Sequence, residues 1–279
     1  MADSTILVGN RTGGQGKTLL TQLIHYGYTL EKVDLKVAAA DTDAASADGF
    51  KSSKLGSILR DVEVEELGIG AGLNAVQSNQ HVAVQYWDRL GELLLEGGWV
   101  VDLGANVIPM VFQWAAARKA GKLLSENAPM LVVPVTAQPQ SLSDALGVFQ
   151  NAARVAENLP FSEKVMVLNE YHGAFDENAR EFKTIRELGR VRIVTVKRAN
   201  VEIWEKIESR RFSIERLLNM SVQDYVREFG VSVFAASGSL SALTDWVMES
   251  LDALQAAGVV PKGNGVTDTA AAGAQKIAG

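Results

Sequence analysis

The stretch VGNRTGGQGKTLL, residues 8–20, constrains the fold of this chain more than any other. A short apolar run at residues 5–8 precedes it, and an amphipathic pattern that predicts a helix starts at Lys17. Residues 9–16 include four glycines. Because glycine adopts backbone angles that other residues avoid, such a loop can turn its N–H groups inward. The order strand, loop, helix therefore predicts a phosphate-binding loop, with a glycine-rich turn and a capping threonine as the alternative.

Two residues at the end of this loop have side chains suited to a nucleoside triphosphate. Lys17 is predicted to bridge the β- and γ-phosphates, and the hydroxyl of Thr18 to ligate Mg²⁺. The N-terminus of the helix adds partial positive charge at the same place. The loop residues that we predict to contact the cofactor are Arg11, Thr12, Gly13, Gly14, Gln15, Gly16, Lys17 and Thr18.

Short β-branched runs alternate with longer amphipathic stretches along the chain. The runs cover residues 5–8, 37–40, 99–103, 130–135, 164–168 and 192–196. Such alternation is typical of parallel strands joined by crossover helices. We expect an α/β fold with a mostly parallel twisted sheet and helices on both faces. One domain is expected over residues 1–257, followed by a flexible tail, 258–279, rich in Gly, Ala, Thr and Asn.

Three of the amphipathic stretches predict helices with defined bounds. One helix is expected over residues 107–124, one over 141–158 with Ser141 or Ser143 as its cap, and one over 240–256 with its cap within 237–241.

Acidic residues follow two of the predicted strands. Asp41 and Asp43 come directly after residues 37–40, and Asp102 lies at the end of the apolar run 99–103. Ligands of open α/β folds bind at the carboxyl edge of the sheet, where these residues are expected. We predict that Asp41 and Asp102, with Thr18, hold the metal and that Asp43 orients the attacking water. Lys17, Asp43 and Asp102 are thus the catalytic candidates, and the alternative is that each acid only caps a strand end or a loop.

Composition excludes several classes of site. The chain has no cysteine, which excludes disulfides, thiolate zinc sites and iron–sulfur clusters. A formal net charge of -6 excludes a polycation that coats nucleic acid through bulk charge. No window holds the roughly 18 apolar residues that a membrane span needs. We therefore expect a cytoplasmic protein without a membrane partner.

The basic segment 183–216 allows two interpretations. Its lysines and arginines can form a patch that binds DNA without sequence preference, through the phosphates. Glutamates are interleaved with them, however, and helical mixtures of this kind are usually solvated faces with local ion pairs. The sequence leaves both interpretations open.

Taken together, these motifs resemble the ParA/MinD class of deviant-Walker P-loop ATPases, from Thr5 to about Leu254. The family loop reads Lys-Gly-Gly-x-Gly-Lys-Thr, and all of it except the first lysine is present here as residues 13–18. Asp41 and Asp43 match the family's Asp-x-Asp switch, and Asp102 matches its strand-end acid. The stretches VVDLGANVIPM and LNEYHGAFDENAREFKTI are similar to signatures of TraL/StbB-type ATPases of conjugative plasmids.

This resemblance implies a nucleotide and a base contact. Asn169 matches the family's asparagine after a core strand, which contacts the base. Because Asn-Glu-Tyr stands here instead of the Asn-Lys-x-Asp that selects guanine, ATP with Mg²⁺ is favoured over GTP.

The resemblance also implies a switch with partners. It predicts slow, partner-stimulated ATP hydrolysis in segregation, positioning or conjugative transfer of plasmid DNA or other cargo. The implied partners are a second copy in an ATP-dependent homodimer, nonspecific DNA and an unidentified adaptor or cargo protein.

Thr12 departs from the family pattern. It replaces the lysine that reaches across the family's dimer to the partner's phosphates. Arg11 can reach a phosphate by another path, another basic residue can substitute, or dimerisation is weaker and hydrolysis slower; the sequence does not choose among these. Two alternative functions also stay open, a dethiobiotin-synthetase-like ATP-dependent ligase acting on a small acid and a nucleotide-binding protein that does not hydrolyse.

Overall fold

A seven-stranded, entirely parallel sheet forms the centre of the protein, in a computed structural model that describes residues 4–40, 53–67, 87–176 and 178–262. The order across the sheet is β3-β2-β4-β1-β5-β6-β7. The strands are β1 Ile6–Val8, β2 Lys36–Ala40, β3 Val64–Glu66, β4 Trp99–Leu103, β5 Met130–Thr136, β6 Glu163–Asn169 and β7 Val191–Val196. The predicted α/β class and parallel sheet are confirmed.

Helices cover both faces of this sheet. They are α1 Lys17–Leu30, α2 Lys54–Ile58, α3 Asp88–Glu96, α4 Val107–Arg118, α5 Gly121–Leu124, α6 Pro139–Arg154, α7 Arg180–Glu187, α8 Trp204–Arg210, α9 Ile214–Asn219, α10 Val222–Phe229 and α11 Val233–Ala256. Successive strand residues point to opposite faces, so Leu7 joins the core under α3, α4 and α6, whereas Ile6 and Val8 join the core under α1 and α11. The expected helical layers on both faces are therefore confirmed.

Strand β3 is an element that the sequence did not predict. It covers Val64–Glu66 and pairs in parallel with β2 at the edge of the sheet. Its residues are only partly buried or exposed, because an edge strand has a neighbour on one side alone. Its short, glutamate-rich sequence lacks the apolar run that identified the central strands.

The prediction of a single helix over residues 107–124 is wrong, because the two helices α4 and α5 occupy this range. Lys119 takes a left-handed conformation with φ 50° and ends α4. The chain then turns so that Gly121 packs against the backbone of Glu157, where a Cβ would lie 1.8 Å from the carbonyl oxygen. Close packing at Gly121, which no local periodicity records, fixes the start of α5.

The predicted starts of two other helices are also wrong. Helix α11 begins at Val233, where the hydroxyl of Ser232 accepts a hydrogen bond from the N–H of Ala235 at 3.1 Å. Helix α6 begins at Pro139 rather than at a serine cap. The residue expected as its cap, Ser141, is instead buried and bonded within the protein.

The packed part of the chain continues past residue 257. Val259 and Val260 are buried in the core under α1. Gly27 makes room for them, since a Cβ there would lie 2.7 Å from a methyl group of Val260. Val259 and Val260, which lie beyond the predicted domain boundary at 257, thus pack with the rest of the domain. Residues 263–279 lie outside the described residues.

A length-and-hydropathy test for membrane helices gives one combined result. Among the described residues no single helix passes, whereas Val222–Phe229 and Val233–Ala256, which meet at a bend of 112°, pass when taken together.

His25, on α1, gives a testable pH dependence. Burial lowers the pKa of its imidazole below 6.5, although Glu215 and Asp34 act in the opposite direction. The unfolded chain therefore takes up this proton at a higher pH than the folded protein does, so stability falls as the pH drops through 6.5. Urea unfolding at about pH 7.5 and about pH 5.5 should show a smaller loss in His25→Gln than in the wild type. The exposed His172, changed to glutamine, serves as the control; equal losses in both variants would contradict the assignment.

Candidate functional site

The glycine loop lies at the carboxyl edge of the sheet, directly after the central strand β1. This strand has β4 on one side and β5 on the other, so neighbouring crossovers run in opposite directions from it. Such a switch point is where open α/β sheets bind ligands. A cavity of about 370 Å³ opens here. Its lining includes residues 13–19, Asp102, Asn169, Tyr171, residues 197–199 and Trp204.

The loop has the backbone shape that its glycines predict. Gly14 and Gly16 have φ angles of 73° and 85°, and α1 begins immediately afterwards at Lys17. Left-handed angles of this kind favour glycine strongly. The N-terminal turn of α1 therefore faces the cavity, with backbone N–H groups that have no partner within the helix.

Asn10 anchors the start of this loop and was missed from the sequence. It is fully buried, its Nδ2 donates to the carbonyl of Pro134 at 2.9 Å, and its Oδ1 accepts from the N–H of Arg11 at 2.7 Å. A polar residue close to the end of a buried strand was the available signal, and a similar one identified Asp102. The carbonyl of Arg11 accepts from the N–H of Asn106 at 3.0 Å, which ties the loop to the start of α4.

Lys17, Thr18 and Asp102 meet at the cavity. The Nζ atom of Lys17 donates to the carbonyl of Thr12 at 2.8 Å, and the residue is 8% exposed. The hydroxyl of Thr18 donates to Oδ2 of Asp102 at 2.8 Å, and Asp102 is 7% exposed. The register of β1 with β4 places Val8 beside Asp102, which brings the strand-end acid to the loop. Residues from two sequence motifs, the glycine loop and the strand-end acid, thus form one group.

This group suits a magnesium ion that also binds phosphate. Mg²⁺ prefers oxygen ligands, keeps several waters and is usually held by one or two protein oxygens together with substrate phosphates. The Thr18 hydroxyl and the Asp102 carboxylate supply such oxygens at the cavity. Among the described residues no cluster of three His, Cys, Asp or Glu side chains could hold a metal. The donors present fit an ion that arrives with a nucleotide.

Asp41 and Asp43 lie outside the described residues. The last described residue before them, Ala40, pairs with Leu103 beside Asp102. Their predicted roles stay predictions.

Asn169 holds the loop from the side of β6. Its Nδ2 donates to the carbonyl of Gln15 at 3.3 Å, and its Oδ1 accepts from the N–H of Tyr171 at 3.1 Å. A Cβ on Gly16 would lie 2.6 Å from this Nδ2. The predicted contact between Asn169 and a base stays a prediction, while the structure adds contacts between its amide and the loop.

Alanine at Gly16 is expected to lower the free energy of unfolding by about 1–3 kcal/mol in the absence of nucleotide. The side chain would have to adopt φ 85° and displace the amide of Asn169. Gly13→Ala is the matched control, because a Cβ there meets no described atom within 4 Å. Urea unfolding of the two variants measures the difference, and equal stability would show that the loop relaxes freely.

Tryptophans and cations form the far wall of the cavity. Trp204 and Trp246 pack edge to face with ring centroids 5.6 Å apart, and Nε1 of Trp246 donates to the carbonyl of Lys197 at 2.7 Å. Lys197 forms an ion pair with Glu249, and Arg198 lines the cavity beside it. From the sequence, only a core or interface role was predicted for these tryptophans.

Several cations of the basic segment 183–216 have protein partners. Arg192 pairs with Glu163, and Arg210 with Glu228 at 3.6 Å. Arg216 stacks on Phe212, with its guanidinium carbon 4.0 Å from the ring centroid. Both glutamates lie outside the segment, so these ion pairs are not the local ones with interleaved glutamates that the sequence suggested. DNA binding by the remaining cations of the segment stays a prediction.

Comparisons with known proteins give distant structural likenesses only. No protein-family model matches the sequence, and no curated protein matches it. An ATP complex of Cyanothece McdA aligns at a TM-score of 0.45 and 13% identity, covering 89% of this chain and 97% of that one. MinD from Aquifex aeolicus aligns at 0.42 and 16%, covering 88% and 95%. MinD from Pyrococcus horikoshii with Mg-ADP aligns at 0.41 and 13%, covering 87% and 95%.

Proposed function

We propose that this protein is a Mg²⁺-dependent P-loop ATPase that acts as a nucleotide switch. The single observation that carries the proposal is the convergence of Lys17, Thr18 and Asp102 on the cavity at the mouth of the glycine loop. A cation, a hydroxyl and a carboxylate at the N-terminus of a helix are the groups that bind a triphosphate and its magnesium. A glycine-rich turn with only a structural role does not explain why all three face one cavity.

Each residue has a distinct task in the proposed reaction. The N–H groups of Gly13–Thr18 hold the phosphates, and Lys17 exchanges its bond to the Thr12 carbonyl for the β- and γ-phosphates. Thr18 and Asp102 supply oxygens for Mg²⁺, which neutralises negative charge on the triphosphate when bound. Asp43 orients a water whose oxygen forms a bond to the γ-phosphorus while the bond to the β–γ bridging oxygen breaks. ATP is the proposed nucleotide, because Asn169 at the end of β6 is followed by Glu-Tyr and not by the pattern that selects guanine.

The proposed output is a change in association. ATP binding would favour a homodimer, and hydrolysis, accelerated by an adaptor or cargo protein, would return the monomer. Support comes from the resemblance of the loop and strand-end acids to ParA/MinD ATPases, and the TraL/StbB-like stretches favour service to plasmid DNA. The proposed contacts to nonspecific DNA are Arg198 and the cations of segment 183–216 other than Arg192, Arg210 and Arg216.

The test is ATP turnover by the full chain, measured alone, with nonspecific DNA and with candidate small acids. Turnover that DNA stimulates, and that falls back as salt rises, supports the switch. Turnover that requires a small acid would replace it with a ligase. Calorimetry with Mg-ATP provides the first step, since the absence of binding heat and of turnover would remove the proposal.

A further inference from the structure

Gln15 is a buried side chain beside the two exposed glycines of the loop. It is only 2% exposed, although Gly13 and Gly14 before it are exposed. Its Nε2 donates to the carbonyl of Gly13 at 2.9 Å, which curls the loop back on itself. A glutamine that turns inward from a phosphate loop needs partners there, because a buried amide without hydrogen bonds is costly.

These partners come from the end of β5 and the start of α6. The Oε1 atom of Gln15 accepts from the backbone N–H of Thr136 at 3.2 Å and from its hydroxyl at 2.9 Å. It also accepts from the hydroxyl of Ser141, which in turn accepts from the N–H of Thr136 at 2.9 Å. Thr136 and Ser141 are both buried. The network is therefore shielded from water. Hydrogen bonds in such a buried environment are stronger than they are in water.

A second contact joins the same helix to the other side of the loop. The hydroxyl of Thr12 donates to Oδ2 of Asp144. The Oδ1 atom of Asp144 accepts from Nε2 of Gln140 at 3.0 Å, one helical turn earlier. Asp144 follows Ser141 by three positions, so both side chains lie on one face of α6. That face contacts the loop on both sides of Gly13 and Gly14.

We propose that this face of α6, through Ser141 and Asp144, positions the phosphate loop for the triphosphate. Glycines give the loop many accessible backbone states, and binding must select one of them. Contacts at positions 12 and 15 restrict those states before any ligand arrives, so the N–H groups are already directed at the phosphates. Neither Ser141 nor Asp144 needs to touch the nucleotide; both are positioning residues. This inference rests on the proposed function only where it names a triphosphate.

The first arm of the test needs no nucleotide. Hydrogen–deuterium exchange of the peptide that covers residues 9–16 is compared among full-length variants. Ser141→Ala and Asp144→Leu should exchange severalfold faster than the wild type, because each removes a contact that restrains the loop. Ser143→Ala, at an exposed serine on the same helix, should not. Asp144→Asn should not either, because it keeps an oxygen that accepts from Thr12.

The second arm measures affinity for Mg-ATP and for adenosine by calorimetry. Ser141→Ala and Asp144→Leu should bind Mg-ATP roughly tenfold more weakly than their controls, since one hydrogen bond is lost from a buried network. The affinity for adenosine, which has no phosphates, should be unchanged. A general loss of structure would instead weaken the binding of both ligands. Asp144→Asn and Asp144→Leu both lack the negative charge, so their difference isolates the hydrogen bond.

Two results would overturn the inference. One is unchanged exchange at residues 9–16 in both Ser141→Ala and Asp144→Leu; the other is equal behaviour of Asp144→Asn and Asp144→Leu. If the wild type binds no Mg-ATP, the proposed function fails, while the exchange arm still decides whether α6 holds the loop.

Discussion

Alanine at position 17 is expected to reduce ATP turnover by roughly 10²–10³-fold, the loss typical when a preorganised charge stabiliser is removed. Lys17 is 8% exposed, and its ammonium group already lies in the loop, 2.8 Å from the carbonyl of Thr12. A charge held in a partly desolvated site acts on developing phosphate charge more strongly than one in water. Steady-state phosphate release at saturating Mg-ATP measures the effect.

Lys122→Ala provides the control for loss of one positive charge, because Lys122 is exposed on α5. It should keep wild-type turnover. Both variants are first compared by thermal unfolding, so that a loss in Lys17→Ala at unchanged stability belongs to the site. Wild-type turnover in Lys17→Ala would mean that the loop does not bind the reacting phosphate.

Asparagine at position 102 is expected to lower turnover by roughly tenfold or more and to raise the Mg²⁺ concentration needed for half-maximal rate. The variant keeps the shape of the side chain and an oxygen that can accept from Thr18, a contact of 2.8 Å in the wild type. It loses the charge that attracts the metal. Turnover measured across a range of Mg²⁺ concentrations separates this effect from a loss of nucleotide affinity.

Without Mg²⁺, Asp102→Asn is not expected to bind nucleotide more weakly than the wild type. Removing a carboxylate near the phosphates relieves repulsion, so affinity in the presence of a chelator should be equal or higher. Asp252→Asn, on the exposed face of α11, is the matched control and should change neither property. An unaltered Mg²⁺ dependence in Asp102→Asn would remove Asp102 from the metal site.

Local sequence was sufficient where a residue's role depends on its neighbours in the chain. The strand–loop–helix order predicted the left-handed glycines and the start of α1 at Lys17. The apolar run ending at Asp102 predicted a strand-end acid, and β4 places it there. Short β-branched runs alternating with longer amphipathic stretches predicted the sheet and its two helical layers, because strands buried on both faces are apolar throughout whereas the helices that cover them are apolar on one side.

Other features depended on strand order and on packing between distant segments. The short edge strand β3 pairs with β2 alone and is only partly buried, so its sequence needs no apolar run. Its pairing depends on the position of β2 in the sheet. Helix α5 begins where Gly121 meets the backbone of Glu157, a contact that no window around residue 121 contains. The predicted cap of α6 failed because Ser141 makes buried hydrogen bonds instead, a role for which serine is equally suited. The predicted cap of α11 failed because Ser232, earlier in the chain, caps this helix.

The amino-acid sequence by itself determined that this protein has a parallel α/β sheet and a glycine loop that leads into a helix, because both follow from spacing within a few turns of chain. Only the tertiary structure decided what holds the loop: Asn10 bonded to Pro134, Asn169 bonded to Gln15, and Gln15 bonded to Ser141, 126 residues away. Hydrogen bonds over such distances exist only once β1, β5 and β6 lie side by side, and side chains that make them look like ordinary polar loop residues until then.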